Sequence, residues 1–265
     1  MEIKDFLNLL KVMQKVISYM KNQLVTLDEF IGQSKTIDAL KISIAAAKMR
    51  MEPLGHILLT GPEGCGKNTL ADAIAYECDA EIKRINIKDF RKEGDLGPTY
   101  INLSEGSILI IEEIDEISQD LVNFLCSVME DAHAAITIGK GPSARSVELD
   151  FPKITVIGIA ETTHKLPKKL AQCFYIDAKF TKYSEDELFV LAKKWCSFNN
   201  SEIIDEAATK IAIYSEGSSK LLHSAMKRAR DFADVYNKGI INIDIIDRTI
   251  ANLSNKDFII SEVCE

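Results

Sequence analysis

The sequence predicts an α/β protein: a parallel sheet with helices on both faces, interrupted by a β-hairpin and followed by a small all-helical domain. Three observations carry this reading. From Leu27 to Asp177 short apolar runs alternate with segments of helical periodicity, the pattern of strands buried on both faces. The run Gly61-Pro62-Glu63-Gly64-Cys65-Gly66-Lys67-Asn68 stands between one such strand and one such helix. After Asp177 the strand pattern stops and helical segments follow.

The elements read in order as follows. Residues 1–24 form an amphipathic extension, with Phe6, Leu9, Leu10, Met13, Val16, Ile17, Met20 and Leu24 at helical spacing. Ile37–Met51 is a helix. Ile57–Leu59 is an apolar strand ending at the glycine-rich run, and Thr69–Cys78 is a helix with Leu70, Ala73 and Ile74 on one face. Strands Ile82–Ile87, Ile108–Ile111 and Ile154–Ile159 and helix Leu121–Met129 complete the large domain. Between Ala134 and Phe151, alternating residues flank a Gly-Pro turn signal, which predicts a hairpin. In the second domain, Ser184-Glu185-Asp186-Glu187 is a capping box opening a helix that reaches about Phe198. Further helices are expected near Ile204–Ser215, Lys220–Asn237 and Ile243–Leu253, two of them closed by Gly217 and Gly239. The expected boundaries are 1–24, 25–177, 178–254 and a tail at 255–265.

Composition sets bounds on function. The 265 residues suffice for a sizeable core, with 46% hydrophobic and 27% charged residues. A net charge of −8 argues against a general grip on polyanions. The six cysteines form no C-x-x-C pair and share no ligand spacing with the four histidines, so reduced thiols in a cytoplasmic protein are expected. Glu2, Asp5 and interspersed lysines rule out a signal peptide, and no apolar run is long enough to span a bilayer.

The glycine-rich run fits the phosphate-binding pattern G-x-x-x-x-G-K-[ST] at every position but the last. Glycines let backbone N–H groups turn inward onto phosphates, and lysine reaches the β/γ-phosphates. A terminal hydroxyl would hold Mg²⁺, but Asn68 brings an amide, with Thr69 beside it. The candidate nucleotide contacts are therefore Gly61, Pro62, Gly64, Cys65, Gly66, Lys67, Asn68 and Thr69. The apolar strand Ile108–Ile111 ends in Glu112 and Glu113. In phosphate-loop ATPases a neighbouring strand ends in an acid that holds Mg²⁺, and a further group orients the attacking water. Glu112 is the candidate metal acid, one methylene longer than the usual Asp, and Glu113 is the candidate base. Asp115 and Glu116 are expected to be exposed. Hydrolysis also needs positive charge on the γ-phosphate, yet residues 165–174 hold lysines and no arginine.

These residues resemble AAA+ ATPases, and among them the RuvB family of Holliday-junction branch-migration motors. Leu27-Asp28-Glu29-Phe30-Ile31-Gly32-Gln33 is similar to the family's adenine-side motif, which adds Ile31 and Gly32 to the expected nucleotide contacts. Ala45–Arg50, the phosphate loop and Met129-Glu130-Asp131 follow in the family's order. The insertion Ile138-Gly139-Lys140-Gly141-Pro142-Ser143-Ala144-Arg145-Ser146 resembles, almost letter for letter, the hairpin that docks the partner RuvA in that family. The resemblance covers about residues 25–254 and implies partner contacts at Ile136, Ile138, Val147 and Leu149. It further implies ATP/ADP with Mg²⁺ as cofactors, a RuvA-like partner, indirect contact with four-way-junction DNA, and a hexamer-type ring.

The sequence also departs from the family. The arginine-finger motif, similar to Leu-Arg-x-Arg-Phe, reads Leu170-Ala171-Gln172-Cys173-Phe174, and the lid's sensor arginine falls on Lys220. The fourth-strand sensor falls on Ala160-Glu161 or, with a small shift, on Thr162-Thr163. Gln23-Leu24 replaces the usual Arg-Pro, and the family's winged-helix domain is expected to be missing. The resemblance therefore implies a RuvB-like ATP-binding protein of DNA recombination and repair with weak or lost hydrolysis. Two alternatives stay open: a nucleotide-binding regulatory or adaptor subunit without motor activity, and a clamp-loader or helicase-loader type AAA+ protein.

Overall fold

A computed structural model describes residues 25–138 and 145–254. The amphipathic stretch 1–24, the turn 139–144 and the tail 255–265 lie outside the described residues. The chain divides into two compact units: residues 25–62 with 66–181, and residues 63–65 with 182–254.

The first unit opens with α1 (Ser34–Arg50), which buries Ile37, Leu40, Ile44 and Ala47. Then come β1 (Ile57–Thr60), α2 (Lys67–Glu77), β2 (Ile82–Asn86), α3 (Glu93–Ile101), β3 (Ile108–Glu112) and α4 (Gln119–Asp131). The hairpin β4 (His133–Ile138) and β5 (Arg145–Asp150) leads into β6 (Thr155–Ala160), α5 (Lys168–Gln172) and β7 (Ile176–Lys179). Five strands form one parallel sheet in the order β2-β3-β6-β1-β7. β1 and β6 are buried at every position, as expected of strands covered on both faces.

The sequence reading placed the acid-bearing strand next to the loop strand, but β6 lies between β1 and β3. Strand order is a long-range property that local periodicity does not carry. Three elements of this unit were not foreseen: α3, the short α5 and β7. α3 contains Gly94, Gly97 and Pro98, residues that mask a helical signal. β7 alternates exposed and buried positions at the sheet's edge, extending past Asp177. Beneath the hairpin's base, Tyr100, Phe124 and Phe151 meet edge to face, with ring centroids 5.7–6.1 Å apart.

The second unit holds α6 (Glu185–Phe198), α7 (Asp205–Tyr214), α8 (Ser219–Tyr236) and α9 (Ile243–Ser254). The capping box forms: Ser184 Oγ accepts from Glu187 N at 3.2 Å, and Glu187 Oε2 accepts from Ser184 N at 2.8 Å. The unit is not all-helical as expected: a two-residue parallel pairing, β8 (Glu202–Ile203) with β9 (Ile240–Ile241), joins the helices, too short to leave an apolar run in the sequence. The core is rich in alanine, with Ala192, Ala207, Ala208, Ala225, Ala229 and Ala233 buried among larger side chains, so helix backbones approach closely. Among the described residues no helix is long and apolar enough to cross a membrane.

His56 ties three elements of the first unit together. Its Nδ1 accepts from Val156 N–H on β6 at 2.9 Å, so Nε2 carries the proton and donates to Met129 O on α4 at 2.8 Å. Burial pushes its pKa below the ordinary value of 6.5, only partly opposed by the Met129 carbonyl. The folded pKa is the depressed one, so the stabilising contribution is complete above about 6.5 and is lost as pH falls from there toward the folded pKa. His223, lowered by burial and Lys227, acts in the same sense in the other unit. The thermal midpoint is therefore expected to drop on acidification below about pH 6.5. His56→Asn should lower the midpoint at neutral pH and shrink that acid-side slope, which a pH series of melting curves on both proteins checks.

Candidate nucleotide site

Parallel strands bring their C-terminal ends to one edge of the sheet, the edge where ligands bind in open α/β folds. Here that edge collects the loop after β1, the end of β2 and the end of β3.

The loop turns on glycines with left-handed backbone: φ is 143° at Gly61, 74° at Gly64 and 91° at Gly66. At Gly61 a Cβ would stand 2.6 Å from Phe180 O, so no other residue fits that close approach without a shift. Gly66 is the N-cap of α2 and supplies no side chain to its first N–H groups, which leaves a helix N-terminus suited to an anion. Lys67, the first residue of α2, folds back over the loop and donates to Gly61 O and, at 2.8 Å, to Pro62 O. Cys65 is buried, whereas Asn68 and Thr69 are exposed on the first turn of α2. Ile31 is half-buried, and Gly32 (φ 81°) precedes Gln33, whose Nε2 donates to Thr181 O at 2.9 Å.

At the end of β3 the two candidate acids part. Glu112 is half-buried and accepts from Arg84 Nη1 at 2.9 Å. Glu113 has a left-handed backbone (φ 53°) and an exposed side chain. It pairs with Lys88 and accepts from Asn86 Nδ2 at 3.0 Å. The Lys88 ammonium, then the Asn86 amide, hold its carboxyl below the usual range, which makes it a weaker base. Asp115 is half-buried rather than exposed, while Glu116 is exposed and pairs with Lys165 at 2.8 Å.

In the unit formed by residues 63–65 and 182–254, the loop's tip is held by the start of α8. Ser219 donates to Gly64 O from its N–H at 2.7 Å and its Oγ–H at 2.9 Å. Lys220 Nζ lies 2.7 Å from Glu63 Oε1.

The sequence matches the family described as "Holliday junction DNA helicase RuvB P-loop domain" over residues 23–180 and "RuvB AAA lid domain" over residues 183–255. The chain belongs to the RuvB family. It is 40% identical over 215 residues to the "Holliday junction branch migration complex subunit RuvB" of Campylobacter hominis. That alignment covers 81% of this chain and 63% of the relative. The same-named protein of Campylobacter jejuni subsp. doylei is 40% identical over 214 residues, covering 81% of this chain and 64% of the relative. The chain thus spans less than two thirds of the length of either curated relative. The Thermotoga maritima RuvB Holliday junction branch migration motor superposes with a TM-score of 0.78 at 32% identity, covering 88% of this chain and 73% of that one.

Ala171 and Cys173, where the resemblance implies finger arginines, lie on α5 and just after it. Ala171 is partly buried against the sheet's core. Cys173 Sγ contacts Lys169 O at 3.4 Å and Glu130 Oε1 at 3.5 Å. Burial, then Cys126, raise the Cys173 thiol far above its ordinary pKa, so it is neutral. Ala160 is the last residue of β6 and is buried, followed by exposed Glu161 and half-buried Thr162 and Thr163. The hairpin's register pairs Ala134 with Leu149, Ile136 with Val147 and Ile138 with Arg145. Leu149 packs partly on the core and Val147 is exposed.

The loop's left-handed glycines, uncapped helix start and Lys67 fit a nucleotide's phosphates. Magnesium fits less well. Asn68 offers a neutral amide oxygen, and that oxygen and the Glu112 carboxylate both face Arg84, at 3.4 Å and 2.9 Å. Among the described residues no group of three or more His, Cys, Asp or Glu side chains could hold a metal ion. Arg84 was not singled out in the sequence, because its role comes from the pairing of β2 with β3.

Lys67→Ala is expected to weaken ATP and ADP binding by at least about 30-fold, the equivalent of ~2 kcal/mol of charge-assisted hydrogen bonding. Titration calorimetry on both proteins checks this, with melting curves confirming that the variant stays folded.

Proposed function

We propose that the chain is an ATP- and ADP-binding RuvB-type protein of DNA recombination and repair, acting at Holliday junctions through a RuvA-like partner, with weak or lost hydrolysis. The observation that carries this reading is the phosphate cradle of Gly61, Gly64, Gly66 and Lys67 in a chain of the RuvB family. The proposed nucleotide contacts are Gly61, Pro62, Gly64, Cys65, Gly66, Lys67, Asn68 and Thr69, with Ile31 and Gly32 on the adenine side and Lys220 as sensor. Glu112 and Glu113 are the proposed acids at the γ-phosphate. Ile136, Ile138, Val147 and Leu149 are the proposed partner contacts, and a ring of such subunits is the proposed assembly.

Weak hydrolysis is supported by two features. Glu113 is held by Lys88 and Asn86 with a lowered pKa. Ala171 and Cys173 bring no positive charge where an arginine would stabilise the transferring phosphoryl group. These features also favour a second reading, a nucleotide-gated adaptor without motor activity. The hairpin β4–β5 weighs against a clamp-loader or helicase-loader role, because those families share the loop and lid without requiring its sequence.

ATP turnover measured with Mg²⁺, four-way-junction DNA and a RuvA-like protein is expected to stay well below about one per second, the low end of ordinary enzyme rates. Turnover at or above that rate would restore the motor. A complete lack of turnover in protein that binds ATP would favour the adaptor. Ile138→Asp should abolish binding to the RuvA-like protein and leave the thermal midpoint unchanged. A large fall in the midpoint would make position 138 structural instead.

A further inference from the structure

Arg84 occupies the middle of the one place where this family's phosphate chemistry calls for a divalent cation. Its Nη1 lies 2.9 Å from Glu112 Oε1 and 3.4 Å from Asn68 Oδ1. Its Nη2 lies 2.6 Å from Asp72 Oδ1, which pins the second arm of the guanidinium. Asn68 and Asp72 are four residues apart on α2 and so share a helix face. β2 carries Arg84 toward that face while its pairing with β3 sets Asn86 beside Glu112. In phosphate-loop ATPases the hydroxyl at position 68 and the acid at position 112 are the protein groups that hold Mg²⁺. In this chain one guanidinium nitrogen meets both.

The two departures at these positions suit an arginine. The amide oxygen at residue 68 is an acceptor and here faces the N–H donor of Arg84. The extra methylene of Glu112, compared with Asp, carries its carboxylate outward to the fork. A guanidinium keeps its charge at any working pH and has no lone pair to offer a metal, so a second cation between the same two groups would be repelled. A planar fork also matches phosphate oxygens.

We propose that Arg84 takes the place of the magnesium ion, so that this chain binds nucleotide free of metal. The inference rests on the nucleotide reading above. It names the ligand's form: the uncomplexed nucleoside di- or triphosphate, with Arg84 rather than Mg²⁺ supplying positive charge beside the β/γ-phosphates.

The test is ADP and ATP titration of the full chain by calorimetry, once with excess Mg²⁺ and once with excess EDTA. Wild type is expected to bind equally under both conditions, within about threefold. Arg84→Ala should lose on the order of tenfold in EDTA and recover with Mg²⁺, the gain a coordinated metal would return. Arg84→Lys, which keeps the charge, should stay closer to wild type in EDTA and serves if the alanine variant does not fold. Electron paramagnetic resonance with Mn²⁺ and ADP gives a second readout: no protein-bound manganese in wild type, and a bound signal in Arg84→Ala. A tenfold or larger gain from Mg²⁺ in wild type, or bound manganese there, would overturn the inference while leaving nucleotide binding intact. Failure to bind nucleotide in either buffer, from folded protein, would instead overturn the nucleotide reading and this inference with it.

Discussion

The common direction of the five sheet strands is the constraint on which the rest of the site depends. In a parallel sheet every strand delivers its C-terminal end to the same edge. The loop after β1, the Arg84–Asn86 end of β2 and the Glu112–Glu113 end of β3 therefore meet, although β6 separates β1 from β3. Burial on both faces restricts the register, because a one-residue slip would exchange the side chains that interdigitate with the two helical layers. The site's geometry thus follows from where Leu58, Leu109, Ile111 and Val156 are buried, residues that take no part in its chemistry.

Charge organises that edge differently from the usual phosphate-loop pattern. Acids outnumber cations there: Asp72, Glu112 and Glu113 face Arg84 and Lys88. Arg84 serves both Asp72 and Glu112, and Lys88 serves Glu113, so each acid already meets a protein cation. Pairs this exposed contribute little to stability, since solvent screens them and side-chain order costs entropy. Their effect is on what the edge can accept. A carboxylate already paired is a poorer ligand and, in the case of Glu113, a poorer base.

Much of the fold was legible in the sequence, and the reasons differ by element. β1, β3 and β6 announced themselves as apolar runs because they are buried on both faces. α6 was legible from four residues, because a capping box is local chemistry and needs no tertiary partner. α3 was hidden by Gly94, Gly97 and Pro98, whose low helix propensity is overridden by burial of Leu96 and Tyr100. β7, at the sheet's edge, has only half its positions inward and so lacks an apolar run. Within the site, the loop and the two acids could be named from spacing alone. Arg84 could not, since nothing local connects residue 84 to residues 68, 72 and 112. The expectation at Ala171 and Cys173 came only through family resemblance, because nothing local in an alanine and a cysteine marks those positions.

Several residues that the resemblance marks as departures from the RuvB pattern are satisfied where they stand. Asn68 and Glu112 meet Arg84, and Cys173 contacts Glu130 and the Lys169 carbonyl. Lys220 pairs with Glu63. Ala171 packs against the core, where a long cationic side chain would have to leave. Here the substitutions and their surroundings agree with one another, from the loop through β3 to α5. That consistency is what a settled arrangement of charge requires.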